Sequence, residues 1–197
     1  MWKSKVNFWK FGIWATQNLK CKPRFDFRHN MDLRNQTEVK THTRGGIKYV
    51  EPNGFYGFAV NVLGKYDGGN NDWMKMKAST GREWAVAYHG TSVGGFPAIL
   101  NEGFKAGSRQ AYSDSKCVKT GAVIGSGVYC TPGLSMAEQY AGNGHDFQGH
   151  KIIFVMQCRV NPAKIKHCHD YDTNESAYWV LNDPNDIRPY RVLIKAK

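Results

Sequence analysis

Two unbroken apolar runs organise the chain: Trp84-Ala85-Val86-Ala87-Tyr88, which ends at His89, and Ile152-Ile153-Phe154-Val155-Met156. Apolar residues that do not alternate with polar ones imply strands covered on both faces. Tyr178–Leu181 and Val192-Leu193-Ile194 read as two further strands, and Ile47–Val50 as a short one after the Gly45-Gly46 turn. Residues 51–82 carry Pro52-Asn53-Gly54, Gly64, Gly68-Gly69-Asn70-Asn71 and Gly81, a pattern of strands broken by loops. A short helix is predicted over Pro97–Glu102, with proline in its first turn and Gly103 just past its end. Ser135-Met136-Ala137-Glu138 has the spacing of a capping box, so a second helix should run from there to Ala141 and stop at Gly142. Residues 104–126 form a long loop with few apolar anchors, a length that usually goes with function or motion. Asn143–His150 reads as a turn, 163–174 as a polar loop and Asn182-Asp183-Pro184 as a turn. Strands dominate and helices are short. The expected class is α+β, with a split, mainly antiparallel sheet.

Composition narrows the setting. A chain of 197 residues, 41% of them hydrophobic, fits one domain with a proper core. No apolar run approaches membrane-spanning length and no secretory signal is visible, so no membrane partner is expected. Five cysteines, at 21, 117, 130, 158 and 168, are an odd number without framework spacing. They suggest free thiols and a cytoplasmic or nuclear setting. A monomer is the simplest oligomeric expectation.

The charge is uneven. The net charge is +11, and residues 1–48 hold eleven Lys/Arg against Asp26, Asp32 and Glu38. Trp2, Phe8, Trp9, Phe11, Trp14, Phe25 and Phe27 run through the same segment. Cations neutralise phosphates and aromatic faces stack on unpaired bases, which suits a single-stranded nucleic acid. The same residues equally describe a basic surface over aromatics that pack the segment onto the domain. Lys3, Lys5, Lys10 and Lys20 are the candidate nucleic-acid contacts in this front.

Chemistry concentrates at Tyr88-His89-Gly90-Thr91-Ser92 and at Gly127-Val128-Tyr129-Cys130-Thr131-Pro132. After them come Ser135 to Tyr140, Ala177-Tyr178-Trp179-Val180, and Arg188-Pro189-Tyr190 to Lys195. In this order and spacing the pieces resemble the catalytic domain of the poly(ADP-ribose) polymerase-like ADP-ribosyltransferases. The basic front is also similar to that of the small DNA-modifying, guanine-targeting members. The resemblance covers roughly residues 84–197. It divides the chain into a basic N-terminal segment, 1–50, packed on or extending the domain, and an ADP-ribosyltransferase-like catalytic domain, 51–197.

The resemblance implies NAD as co-substrate and a mono-ADP-ribosyltransferase acting on a DNA or RNA base, with protein side chains as the rival acceptor. It implies that His89 holds a ribose, that Gly90 takes the nicotinamide amide through its backbone, that Thr91 belongs to the same motif, and that Tyr129 and Tyr140 flank the nicotinamide ring. It also implies a catalytic glutamate at position 177, where this chain has Ala177, so this chain is expected to be inactive. Three explanations stand side by side: a glutamate replaced by design, a natural relative that only binds, or Glu175 acting in its place. A second hydroxyl usual two residues after Ser135 is missing, because that position is Ala137. The loop before the late strand should meet the acceptor, here with Lys164, Lys166, His167 and His169. His167-Cys168-His169, with His145 and His150, fits no structural zinc pattern, so no metal is expected.

Overall fold

The computed structural model describes residue 10 and residues 25–75, 82–107, 112–168 and 177–197. Among them are β1 (Met31–Asp32), β2 (Thr41–Arg44), β3 (Ile47–Val50), β4 (Tyr56–Ala59), β5 (Ala85–Thr91), β6 (Val128–Cys130), β7 (His145–Phe147), β8 (His150–Val160), β9 (Lys166–His167), β10 (Trp179–Leu181) and β11 (Ile187–Ala196). The described residues also include the helices α1 (Gly95–Glu102) and α2 (Leu134–Tyr140) and short 3-10 turns. The main sheet runs β1-β4-β11-β8-β5, with β7 also on β8; a second sheet is β6-β10-β9, and β2-β3 form a hairpin. Every pairing between these strands is antiparallel. The α+β class and the split antiparallel sheet are as expected.

Strand β8 is the centre of the fold. Residues 152–160 are all buried, which agrees with a strand covered on both faces. Its even residues, with Phe96 and Leu100 of α1, form the larger core. Ile153 and Val155 pack on the other face with Ala137 and Ala141 of the α2 segment. The strand outlasts its apolar run because its polar members are partnered. Gln157 accepts from Arg191, and Arg159 donates to the carbonyls of Trp84 and Met74.

Several boundaries differ from the sequence reading. Helix α1 begins at Gly95, two residues early, where the Ser92 hydroxyl accepts from the Gly95 N–H; Gly103 closes it as expected. The capping box does not form. Helix α2 begins at Leu134 behind Gly133, so Ser135 lies past the cap, while Glu138 pairs with Lys195 at 2.8 Å. The expected turn at 143–150 contains β7. Gln148 and Gly149, both at positive φ, turn it directly into β8. Strand β11 extends back to Ile187 through Pro189, which the sheet tolerates at a register shift.

The long loop is anchored after all. Cys117 and Ile124 are buried with Cys168 and Val180. The Val118 N–H donates to the His167 carbonyl, and the Lys166 ammonium donates to the carbonyls of Val123 and Ile124. At the other end, β1 pairs with β4, Phe25 bridges Val60, and the Tyr88 hydroxyl donates to the Val50 carbonyl. Cys117, Cys130, Cys158 and Cys168 are buried free thiols; Cys21 lies outside the described residues. Among the described residues no helix is long and apolar enough to cross a membrane.

Strand β5 and α2 meet at Gly90. A Cβ there would overlap the Ala137 carbonyl oxygen and stand 2.8 Å from both the Ala141 nitrogen and the Tyr140 Cβ. Glycine is required for this close approach. Gly90→Ala should therefore destabilise the fold by about 1–3 kcal/mol in chemical denaturation. Gly94→Ala, in open space with helical φ/ψ, should stay within about 0.5 kcal/mol of the native chain. Equal stabilities for the two variants would refute the contact.

Candidate active site

The two sheets are joined at one point and part beyond it. Tyr88 N–H donates to the Thr131 carbonyl at 2.7 Å, and Thr131 N–H donates to the Tyr88 carbonyl at 3.0 Å. In an antiparallel ladder, residues two apart direct their N–H and C=O groups the same way. Tyr88 pairs with Gln157 and Gly90 with Val155 without a register break. Gly90 therefore points its N–H and C=O away from β8, as Tyr88 does. On this antiparallel register the residue opposite Gly90 is Tyr129, but β5 and β6 have parted there, and the Tyr129 carbonyl meets the His89 ring rather than the Gly90 backbone. One donor and one acceptor thus face a cavity of about 280 Å³ that Gly90 itself lines.

His89 holds the split in place. Its Nδ1 lies 2.7 Å from the Tyr129 carbonyl oxygen. A carbonyl is only an acceptor, so Nδ1 carries the proton and Nε2 of the neutral ring is an acceptor. Burial holds the imidazole pKa below its ordinary value against the opposing effect of that hydrogen bond. The ring is braced edge-on by Phe104, centroids 5.1 Å apart. His89 and Tyr129 line the first cavity and also a second one, of about 280 Å³, beside α1. The two cavities share these residues as a common wall, and a long ligand would lie along both.

Tyrosines make the rest of the first cavity. Tyr129 comes from β6, Tyr140 from the last residue of α2, Tyr178 from the entry to β10 and Tyr112 from the long loop. The Tyr140 and Tyr178 hydroxyls are 2.8 Å apart, and the Tyr178 hydroxyl donates to Met136 Sδ at 3.1 Å. Their rings meet edge to face, and Tyr112 packs against Tyr178 with centroids 5.5 Å apart. Burial raises the pKa of Tyr129, and burial with the Tyr140 hydrogen bond raises that of Tyr178, so both stay protonated. No Asp or Glu lines this cavity among the described residues. Cys130 also lines it, but burial pushes its thiol far up, which suits packing rather than nucleophilic attack. No cluster of metal-ligating side chains occurs among the described residues.

The structure brings His89, Gly90, Tyr129 and Tyr140 together. Thr91 is buried and lines neither cavity. Ala177 is buried in the larger core with Trp179, while its neighbour Tyr178 turns to the cavity. Strand alternation accounts for this: residues 177 and 179 share one face, 178 and 180 the other. Glu175, His169, Lys3, Lys5 and Lys20 lie outside the described residues. Lys10 and Lys164 are exposed. Lys166 is engaged with the long loop, and the His167 N–H donates to Cys117 Sγ at 3.4 Å while its ring meets Trp179 edge-on. Sequence reasoning missed Tyr112, Met136, Phe104 and Tyr178 as cavity residues. Only Tyr178 carried a usable signal, its place beside position 177 in an alternating strand.

A planar ring with a carboxamide fits these residues: aromatic walls on its faces and a strand edge offering one donor and one acceptor. The family model of the poly(ADP-ribose) polymerase catalytic domain matches residues 60–178, more than half of the chain. The chain belongs to the poly(ADP-ribose) polymerase catalytic-domain family. Catalytic domains of this family use NAD as co-substrate. The match spans β5, α1, β6, α2 and β8, the elements that build the split. No curated protein matches the chain. For this poly(ADP-ribose) polymerase-type domain, bound NAD would supply the leaving nicotinamide and the ribosyl carbon; His89, Gly90 and the tyrosines would hold and orient it.

The neutral imidazole has a measurable consequence. The His89 pKa is lower folded than unfolded, so its share of stability is complete above about pH 6.5 and is lost as pH falls from there through the folded value. NMR titration should give a His89 midpoint below about 6.5. His89→Asn should remove that part of the stability slope, and an unchanged slope would contradict the assignment.

Proposed function

We propose that this chain holds NAD along the paired cavities, with nicotinamide on the tyrosine wall, as a mono-ADP-ribosyltransferase-type domain whose acceptor is a nucleic acid. The observation that carries the NAD geometry is the strand edge at Gly90, next to a neutral His89 fixed by Tyr129. In the transfer, the bond from the ribosyl C1′ to the nicotinamide nitrogen breaks and that nitrogen keeps the electron pair. A base nitrogen of the acceptor attacks C1′ and gives up its proton. The transition state is oxocarbenium-like and gains most from a nearby carboxylate.

That carboxylate is the missing part. Ala177 supplies none and packs in the core. Glu175, two residues earlier, is the acid that the sequence offers. If Glu175 does not reach the ribose, the domain is a silent NAD binder, a second reading favoured by the cavity's lack of acids among the described residues. The nucleic-acid acceptor rests on the charge of +11 and on the basic, aromatic-rich first 48 residues.

Incubation with NAD and a single-stranded oligonucleotide, read by mass spectrometry, tests the reading. The expected product is an oligonucleotide heavier by one ADP-ribose unit, abolished in Glu175→Gln. NAD binding without transfer would support the silent binder, and labelled protein with an untouched oligonucleotide would support a protein acceptor. Ala177→Glu is expected to cost about 1–3 kcal/mol without restoring transfer, because it buries a carboxyl group on the core face. A gain of transfer in that variant would show that position 177 reaches the pocket.

A further inference from the structure

We infer that Tyr178 is the side-chain anchor of the nicotinamide carboxamide in this chain, taking the place of a hydroxyl that α2 lacks. The inference rests on the NAD reading of the cavity and adds to it a residue that decides ligand preference. A carboxamide has one carbonyl and two N–H donors. The Gly90 edge supplies one acceptor and one donor, which leaves room for a further hydrogen bond to a side chain. Helix α2 turns Ala137 toward the cavity, and a methyl group makes no such bond.

Tyr178 fills that gap. Its ring lines the same cavity and is fixed between Tyr140 and Tyr112. Its O–H donates to the thioether of Met136. A thioether sulfur is a weak acceptor, so an amide oxygen arriving nearby is a better partner and the proton turns to it at little cost. Tyr140 then donates to the Tyr178 oxygen across the 2.8 Å that separates the two hydroxyls. Each group in the chain Tyr140, Tyr178, carboxamide uses its donor once, and hydrogen bonds in such a chain strengthen one another. Burial keeps Tyr178 in the protonated, donating form. The choice of face is the decisive geometry: the chain puts Tyr178, rather than residue 177, into the pocket.

The assignment separates ligands with nicotinamide from those without it. Calorimetric titration of the native chain with nicotinamide, NAD and ADP-ribose sets the baseline. Tyr178→Phe keeps the ring and its packing and removes the hydroxyl. It should weaken nicotinamide and NAD about tenfold, the worth of one hydrogen bond, and leave ADP-ribose within about twofold. Adding Ala137→Ser to Tyr178→Phe should recover most of the nicotinamide affinity, which a merely structural role for Tyr178 would not allow. Unchanged nicotinamide affinity in Tyr178→Phe, or an equal loss for ADP-ribose, would overturn the inference alone. A native chain that binds neither nicotinamide nor NAD would overturn the NAD reading itself, and this inference with it.

Discussion

The site depends on one short junction between two sheets. The reciprocal hydrogen bonds of Tyr88 and Thr131, followed at once by His89 to the Tyr129 carbonyl, join β5 to β6 for a residue pair and no further. If the pairing continued, the backbone of Gly90 would be used up within a sheet. If it were absent, Tyr129 would keep its pairing with Val180 in the second sheet but lose its tie to β5 beside His89. The junction therefore creates an unpaired strand edge inside the molecule, where such an edge cannot recruit another chain and remains available to a ligand. The bare α-carbon of Gly90 adds the second condition: α2 lies directly on the strand and walls the cavity.

Burial then sets the chemistry of the wall. It keeps His89 neutral and the Tyr129 and Tyr178 hydroxyls protonated, so the wall offers hydrogen bonding and aromatic contact rather than charge. That suits a neutral carboxamide ring. It also isolates the question of catalysis, because a neutral cavity can hold NAD without stabilising the cation that forms when nicotinamide departs. In the proposed reading, binding and turnover fall to different residues, and the described cavity concerns the first.

How much of this was legible in the sequence follows from what each residue signals. The runs at 84–88 and 152–156 announced their strands because unbroken apolar residues have few other homes. His89, Gly90, Tyr129 and Tyr140 could be placed together through motif order. Strand extensions through Gln157, Arg159 and Pro189 were hidden, since their polarity or missing N–H is compensated by partners distant in sequence. The Ser135–Glu138 pattern misled because Gly133 caps the helix and Lys195, a distant residue, attracts Glu138. Motif order placed position 177 at the site, yet it could not show which of two neighbours on a strand faces the ligand. Tyr112 was out of reach, because its position depends on how Cys117 and Ile124 bury the long loop.

The central claim is that the Gly90 edge at the split receives the carboxamide, and the Gly90 backbone amide reports on it directly. In an NMR titration with nicotinamide, the Gly90 amide resonance should shift saturably, with a midpoint equal to the calorimetric one, while that of its β8 partner Val155 stays nearly fixed. Saturation of binding without movement of the Gly90 amide would contradict the account.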